Sequence, residues 1–91
     1  MGGMEYILTF KNTNFAVKSE QFLLEQKLRV GVLPLPPQIR AGCGICLRIR
    51  PDEIRQALEI LKEKGIDETG LFSRETDGNN YIYKKIIDRS E

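Results

Sequence analysis

Both cysteines of the chain, Cys43 and Cys46, lie in residues 34–46, a short stretch that also carries three of the four prolines. Gly42 and Gly44 flank Cys43, so the backbone can turn freely there and the sulfur stays open to a partner. A cysteine thiolate is a strong nucleophile. The stretch therefore predicts that any chemistry performed by this chain is thiol chemistry centred on Cys43.

The spacing of the two cysteines matches the Cys-x-x-Cys pattern of dithiol redox proteins. Such motifs open a helix after a strand, whereas this one opens a strand after a loop. In an extended backbone the α-carbons of Cys43 and Cys46 lie roughly 10 Å apart, while a disulfide needs about 7 Å or less. A turn at Gly44 would be needed for pairing, so dithiol chemistry stays an alternative, with Cys46 as a candidate second thiol.

The absence of histidine narrows the chemistry further. It excludes Cys–His nucleophilic catalysis and histidine ligation of metals, and two thiolates are too few for a zinc site. We therefore expect no metal and no cofactor, and a binding protein rather than a self-contained enzyme. Packing as a small apolar side chain is the alternative for Cys43, and it is the favoured interpretation for Cys46 inside a strand.

Length and composition indicate one small globular domain over residues 1–91, in which 41% of residues are apolar and 30% are charged. We expect an ordered core over about 4–75 and a C-terminal turn followed by a strand or helix over 76–91.

No apolar run approaches the length of a membrane span, and a net charge of +1 gives no reason to expect nucleic-acid or membrane binding. Cytoplasm is the default location, with both cysteines as free thiols.

The distribution of charge is more informative than its sum. Residues 26–51 contain no acidic side chain. Five basic residues lie in that interval: Lys27, Arg29, Arg40, Arg48 and Arg50. The central third of the chain is therefore positive, and it includes the cysteines.

Apolar periodicity predicts the elements that position the cysteines. Alternation or β-prone composition predicts strands over residues 4–10, 29–35, 45–49 and 70–75, and helical spacing predicts helices over 13–28 and 51–64. A turn at 77–80 precedes residues 81–87, which fit either a strand or a helix. Pro34 cannot donate to a ladder, so the second strand is expected at a sheet edge.

This β-α-β-β-α-β order predicts an α+β, two-layer, ferredoxin-like sandwich: one antiparallel sheet with two helices on one face, and a short extra C-terminal strand as an option. In that topology the loop before the third strand lies near the start of the first helix. Cys43 should then face the helices, close to the free amides of Thr13 and Asn14. These amides and Arg40 would stabilise a thiolate.

Several features occur together in this chain: Phe10 ending the first strand, the polar turn 12–14, Ala16 and Glu20, the Pro34–Pro37 run, and Gly42, Cys43 and Gly44 before strand 45–49. Over about residues 4–75 this combination resembles a family of small bacterial proteins, formerly a domain of unknown function, that are labelled selenium/sulfur carrier-like. The resemblance implies that Cys43 holds sulfur or selenium as a persulfide or selenosulfide between donor and acceptor proteins. Cys46 departs from the family pattern.

A second hypothesis needs no chemistry. The chain would be a structural or interaction module that forms a homodimer through the open sheet face or through the edge strand at Pro34, with Cys43 as a packing residue. Ferredoxin-like sheets often associate in this way.

Overall fold

The computed structural model describes residues 3–40 and 43–88. They form an α+β fold with two helices and one five-stranded antiparallel sheet. In chain order the elements are β1 (Met4–Thr9), α1 (Thr13–Glu25), β2 (Val30–Pro34), β3 (Ile45–Ile49), α2 (Ile54–Glu63), β4 (Gly70–Asp77) and β5 (Asn80–Asp88).

The strand order in the sheet is β2-β3-β1-β4-β5. The predicted α+β class, with two helices and an antiparallel sheet, is confirmed. The sheet differs from a four-stranded ferredoxin-like sheet because β5 pairs with β4 along its whole length, so residues 81–87 form a strand and not a helix. β2 lies at the opposite edge of the sheet, as Pro34 predicted.

Apolar side chains cover both faces of the sheet. On one face the helices pack over a large cluster, here called the helix-side core, which includes Leu8, Leu47 and Leu71. Because side chains alternate along a strand, the neighbours of these residues point to the opposite face of the sheet. A smaller cluster, the loop-side core, forms there from four buried residues: Ile7, Ile39, Cys46 and Phe72. The sheet face opposite the helices is thus covered in part by the loop that follows β2.

Helix α1 ends at Glu25, so the prediction that it continues to Leu28 is wrong. Lys27 adopts a positive φ of 66°, and Leu28 donates its backbone N–H to the carbonyl of Leu23 at 3.1 Å. These are the features of a Schellman termination, a motif that normally places glycine at the left-handed position. The turn still buries Leu28, which explains why its spacing continues the apolar pattern.

Replacing Lys27 by glycine should stabilise the protein, because glycine adopts positive φ without the steric cost that lysine bears. The expected gain in free energy of unfolding is about 0.5–1 kcal/mol, after allowance for the greater freedom of glycine in the unfolded chain. Urea titration of Lys27→Gly against wild type measures it. Lys18→Gly, inside the same helix, should instead destabilise by about 1 kcal/mol, and a loss in both variants would show that residue 27 bears no such cost.

Helix α2 begins at Ile54, three residues later than predicted, because residues 51–53 form a turn in which Glu53 N–H donates to the carbonyl of Arg50. The Glu53 carboxylate makes no capping bond to its own helix. It accepts the backbone N–H of Arg29 at 3.0 Å and so ties the helix start to the residue before β2. Gly65, with φ of 73°, follows the helix end as expected.

Candidate functional site around Cys43

Cys43 lies just before β3, half-buried, and packs against the helix-side core, the face that strand parity predicted. Its thiol donates a hydrogen bond to the carbonyl of Ile45, with Sγ 3.2 Å from the oxygen. Only the protonated thiol can donate this bond. Forming the thiolate therefore requires Sγ to give up the Ile45 carbonyl and to find another partner.

The backbone beside Cys43 closes the base of a loop. Leu35 N–H donates to the carbonyl of Gly44 at 2.9 Å, directly after the last β2–β3 residue pair, Pro34 with Ile45. Gly44 itself is exposed, and a Cβ placed there would meet no atom within 4 Å. A side chain at position 44 would therefore point into open space, and Gly44 presents only backbone beside Cys43.

The register of the sheet brings two remote segments to one end of the molecule. Thr9 at the end of β1 lies opposite Cys46 in β3, so the start of α1 and the start of β3 share that end. Phe15, in the first turn of α1, packs against the same helix-side core as Cys43. The start of α1 and the segment that carries Cys43 therefore lie at the same end of the sheet.

The predicted thiolate-stabilising contacts are not formed within the described residues. Thr13, Asn14 and Arg40 are exposed, and none is hydrogen-bonded to Cys43 there. The side chain of Asn12, just before α1, accepts the N–H of Phe15 at 3.0 Å and so occupies one free amide of the first turn. Gly42, the remaining predicted site residue on this loop, lies outside the described residues.

Cys46 has a different environment. Its side chain is fully buried in the loop-side core, and its thiol lies 3.9 Å from the carbonyl of Pro34. Burial raises the pKa of this thiol from 9.0 to about 11, against a smaller lowering by the charge of Arg74. Both cysteines are free. Because they pack on opposite faces of the sheet, the structure does not bring them together as a dithiol.

Sequence reasoning missed a loop residue that belongs to the same buried cluster as Cys46. Ile39 lies in the loop after β2, only 4% exposed, and packs with Ile7, Cys46 and Phe72. A hydrogen bond from Ile39 N–H to the carbonyl of Pro36 holds the turn that directs it onto the sheet. The signal in the sequence was an isolated isoleucine between polar residues, which is unusual in an exposed loop.

Sequence reasoning also missed a charged group on the same sheet face. The Glu5 carboxylate binds two guanidinium groups: Arg48 Nε at 3.3 Å from Oε2, and Arg74 through Oε1. Arg74 also lies over the ring of Tyr81, 4.3 Å from its centroid. Glu5 pairs across the sheet with Arg74, so register alone explains this contact, but the partner strand could not be identified beforehand.

No group of three or more potential metal-ligating side chains occurs in residues 3–40 and 43–88. The Putative Se/S carrier protein-like family matches residues 5–73, which extend from the second residue of β1 to the middle of β4. The chain belongs to this family. Cys43 and the loop that precedes it lie inside the matched segment. No curated protein and no solved structure shows significant similarity to the chain. Neither helix in the described part of this family member is long and apolar enough to cross a bilayer.

Proposed function

We propose that the protein carries a sulfur or selenium atom on Cys43, as a persulfide or selenosulfide, between a donor and an acceptor protein in the cytoplasm. Membership of the carrier family supports this proposal. The observation that carries it is the contrast between the two thiols: Cys43 is half-buried and precedes the exposed Gly44, whereas Cys46 is fully buried. A carrier needs one sulfur that two successive partners can reach.

The proposed loading step is a sulfur transfer between thiols. The Cys43 thiolate attacks the outer sulfur of a donor persulfide, a new S–S bond forms at Sγ, and the donor S–S bond breaks. The donor cysteine leaves as a thiolate, so the step needs no external oxidant or reductant. Unloading is the same reaction with an acceptor thiolate as the nucleophile.

In this proposal, residues near Cys43 stabilise the thiolate or give partner proteins access to it. Departure of the thiol proton frees Sγ from the Ile45 carbonyl. The amides at the start of α1, at Thr13 and Asn14, and the Arg40 guanidinium are then the proposed partners of the negative sulfur. Gly42 and Gly44 would allow a partner protein to approach the sulfur closely.

Cys43→Ser should abolish loading, to below about 1% of wild type, because an alcohol is far less acidic and less nucleophilic than a thiol. Cys46→Ser should retain most of it. Incubating each protein with glutathione persulfide and weighing the intact protein by mass spectrometry measures the added sulfur. Equal loss in both variants would refute the assignment of the carrier sulfur to Cys43, and circular dichroism of each variant separates this result from unfolding.

An interaction module remains the second candidate function, and the exposed edge of the sheet favours it. Tyr81, Ile82 and Ile86 in β5 are each 43–50% exposed, and β5 has no strand beyond it among the described residues. Lys84 and Lys85 lie in the same strand, so pairing with a second β5 would bring like charges together. This function requires an unreactive Cys43.

We also propose that strands β1 to β4 with both helices form a ferredoxin-like unit. Its support is the partial order β2-β3-β1-β4, with a helix connecting β1 to β2 and another connecting β3 to β4. β5 is then an addition at the β4 edge.

A further inference from the structure

Three arginines from the acid-free central segment converge on one cleft at the end of the sheet. Arg29 precedes β2, Arg48 lies in β3 and Arg50 follows β3, and all three line a cleft of about 590 Å³. We call it the arginine cleft. Leu28 and Val30 contribute apolar walls. The fold thus brings into one cleft three basic side chains that lie more than twenty residues apart at the extremes of the segment.

The charges in the arginine cleft are only partly compensated. Glu5 also lines the cleft; its Oε2 lies 3.3 Å from Arg48 Nε, and its other carboxylate oxygen binds a second arginine, Arg74. Arg50 Nε lies 3.3 Å from Asp52 Oδ1 at the exposed surface. The Arg29 guanidinium makes no ion pair with any residue that the structure describes. Both ion pairs use Nε, and an Nη atom of Arg48 packs against Gly31 in β2.

A guanidinium group offers two parallel N–H donors that match the oxygens of a phosphate. The volume of the cleft falls within the range of small-molecule sites, and its apolar walls suit a non-polar part of a ligand. We propose that the arginine cleft binds a phosphate-bearing small molecule, with its phosphates on Arg29, Arg48 and Arg50 and its apolar part against Leu28 and Val30.

The arginine cleft is separate from the cysteine site. β3 runs from the Cys43 end of the sheet to the Arg50 end, and its five residues span roughly 17 Å. The proposal therefore does not rest on the carrier function. Cys43→Ser should bind the same phosphates with unchanged affinity, so failure of either proposal leaves the other standing.

Binding can be measured by NMR of backbone amides while a probe is titrated into the full chain at low ionic strength. The three probes are pyrophosphate, ADP and adenosine, of which adenosine carries no phosphate and is the control. Pyrophosphate and ADP should shift resonances of residues 28–30 and 48–50, and adenosine should not. Tighter binding of ADP than of pyrophosphate would support an apolar part seated against Leu28 and Val30, whereas equal binding would overturn that part of the proposal.

Arg29→Gln together with Arg50→Gln should raise the Kd for both phosphates at least tenfold, because charge-assisted bonds are lost. Both side chains are exposed, and the single Arg29→Gln variant, which breaks no ion pair among the described residues, should give part of the effect. Arg55→Gln, an exposed arginine of α2 outside the cleft, should leave Kd unchanged. Absence of saturable binding, or equal weakening by Arg55→Gln, would overturn the proposal.

Discussion

Cys46 should be alkylated at least about 100-fold more slowly in the folded protein than in the urea-unfolded chain, whereas Cys43 should react in the folded state. Cys46 is fully buried, so a reagent reaches it only when the structure opens locally. Its pKa of about 11 adds to this protection, because at pH 8 only about one thiol in a thousand would be a thiolate. Cys43 is only half-buried.

Two variants with one cysteine each allow the rates to be measured separately. In Cys43→Ser the remaining thiol reports on Cys46, and in Cys46→Ser it reports on Cys43. Iodoacetamide alkylation at pH 8, followed by mass spectrometry, gives each rate with and without urea. Rapid alkylation of Cys46 in the folded protein would show that its environment is open. Protection of Cys43 to the same degree would favour the interaction module over the carrier.

The raised pKa of Cys46 also predicts how stability depends on pH. The thiol titrates at about 11 in the folded state and at about 9.0 when unfolded, so in the interval between them the folded state binds more protons. The free energy of unfolding should therefore fall as pH rises from about 9 to about 11, by up to about 2 kcal/mol, and this group should contribute no pH dependence below 9. The difference between wild type and Cys46→Ala isolates the effect, because other groups titrate equally in both.

Local sequence patterns predicted best those elements in which the residues of the two faces alternate regularly. β3 was predicted at its observed bounds because Ile45, Leu47 and Ile49 alternate with Cys46 and Arg48. The same parity placed Cys43 toward the helices and Cys46 away from them.

The helix termini were predicted less well, since competing contacts decide them. Lys27 adopts a left-handed conformation, which lysine rarely does and which the sequence therefore did not predict. The turn before α2 has the composition of a helix start, but the Glu53 carboxylate is used by Arg29, a partner 24 positions earlier in the chain. No local pattern contains such a contact.

The environment of the candidate site was only partly predictable for the same reason. Sequence reasoning identified the sheet end at which Cys43 lies, because strand directions follow from element order. It did not identify the Ile45 carbonyl as the partner of Sγ, since that contact depends on the χ1 angle of Cys43 and on the path of the loop. Nor could it show that Ile39 turns back onto the sheet, because one apolar residue in a loop has no periodicity.

Ile39→Ala should lower the free energy of unfolding by about 2 kcal/mol, near the lower limit for truncating a buried isoleucine, since the loop can relax in part. Ile39 is 4% exposed and contacts three residues of the loop-side core. The variant should also accelerate alkylation of Cys46 at least tenfold, because the buried cluster that encloses this thiol loses one of its four members. The Cys43 rate should change little, as Cys43 packs on the opposite face.

Gln38→Ala is the matched control, because it changes the neighbouring residue of the same loop but truncates an exposed side chain. It should alter stability by no more than about 0.5 kcal/mol and leave the Cys46 rate unchanged. Ile39→Val keeps most of the apolar side chain, so its stability and its Cys46 alkylation rate should lie between those of Ile39→Ala and Gln38→Ala. If Ile39→Ala destabilises the protein while Cys46 stays fully protected, the loop packs on the sheet without controlling access to the thiol. A faster Cys46 with unchanged Cys43 would instead show that residues 35–39 shield one cysteine and leave the other to partners.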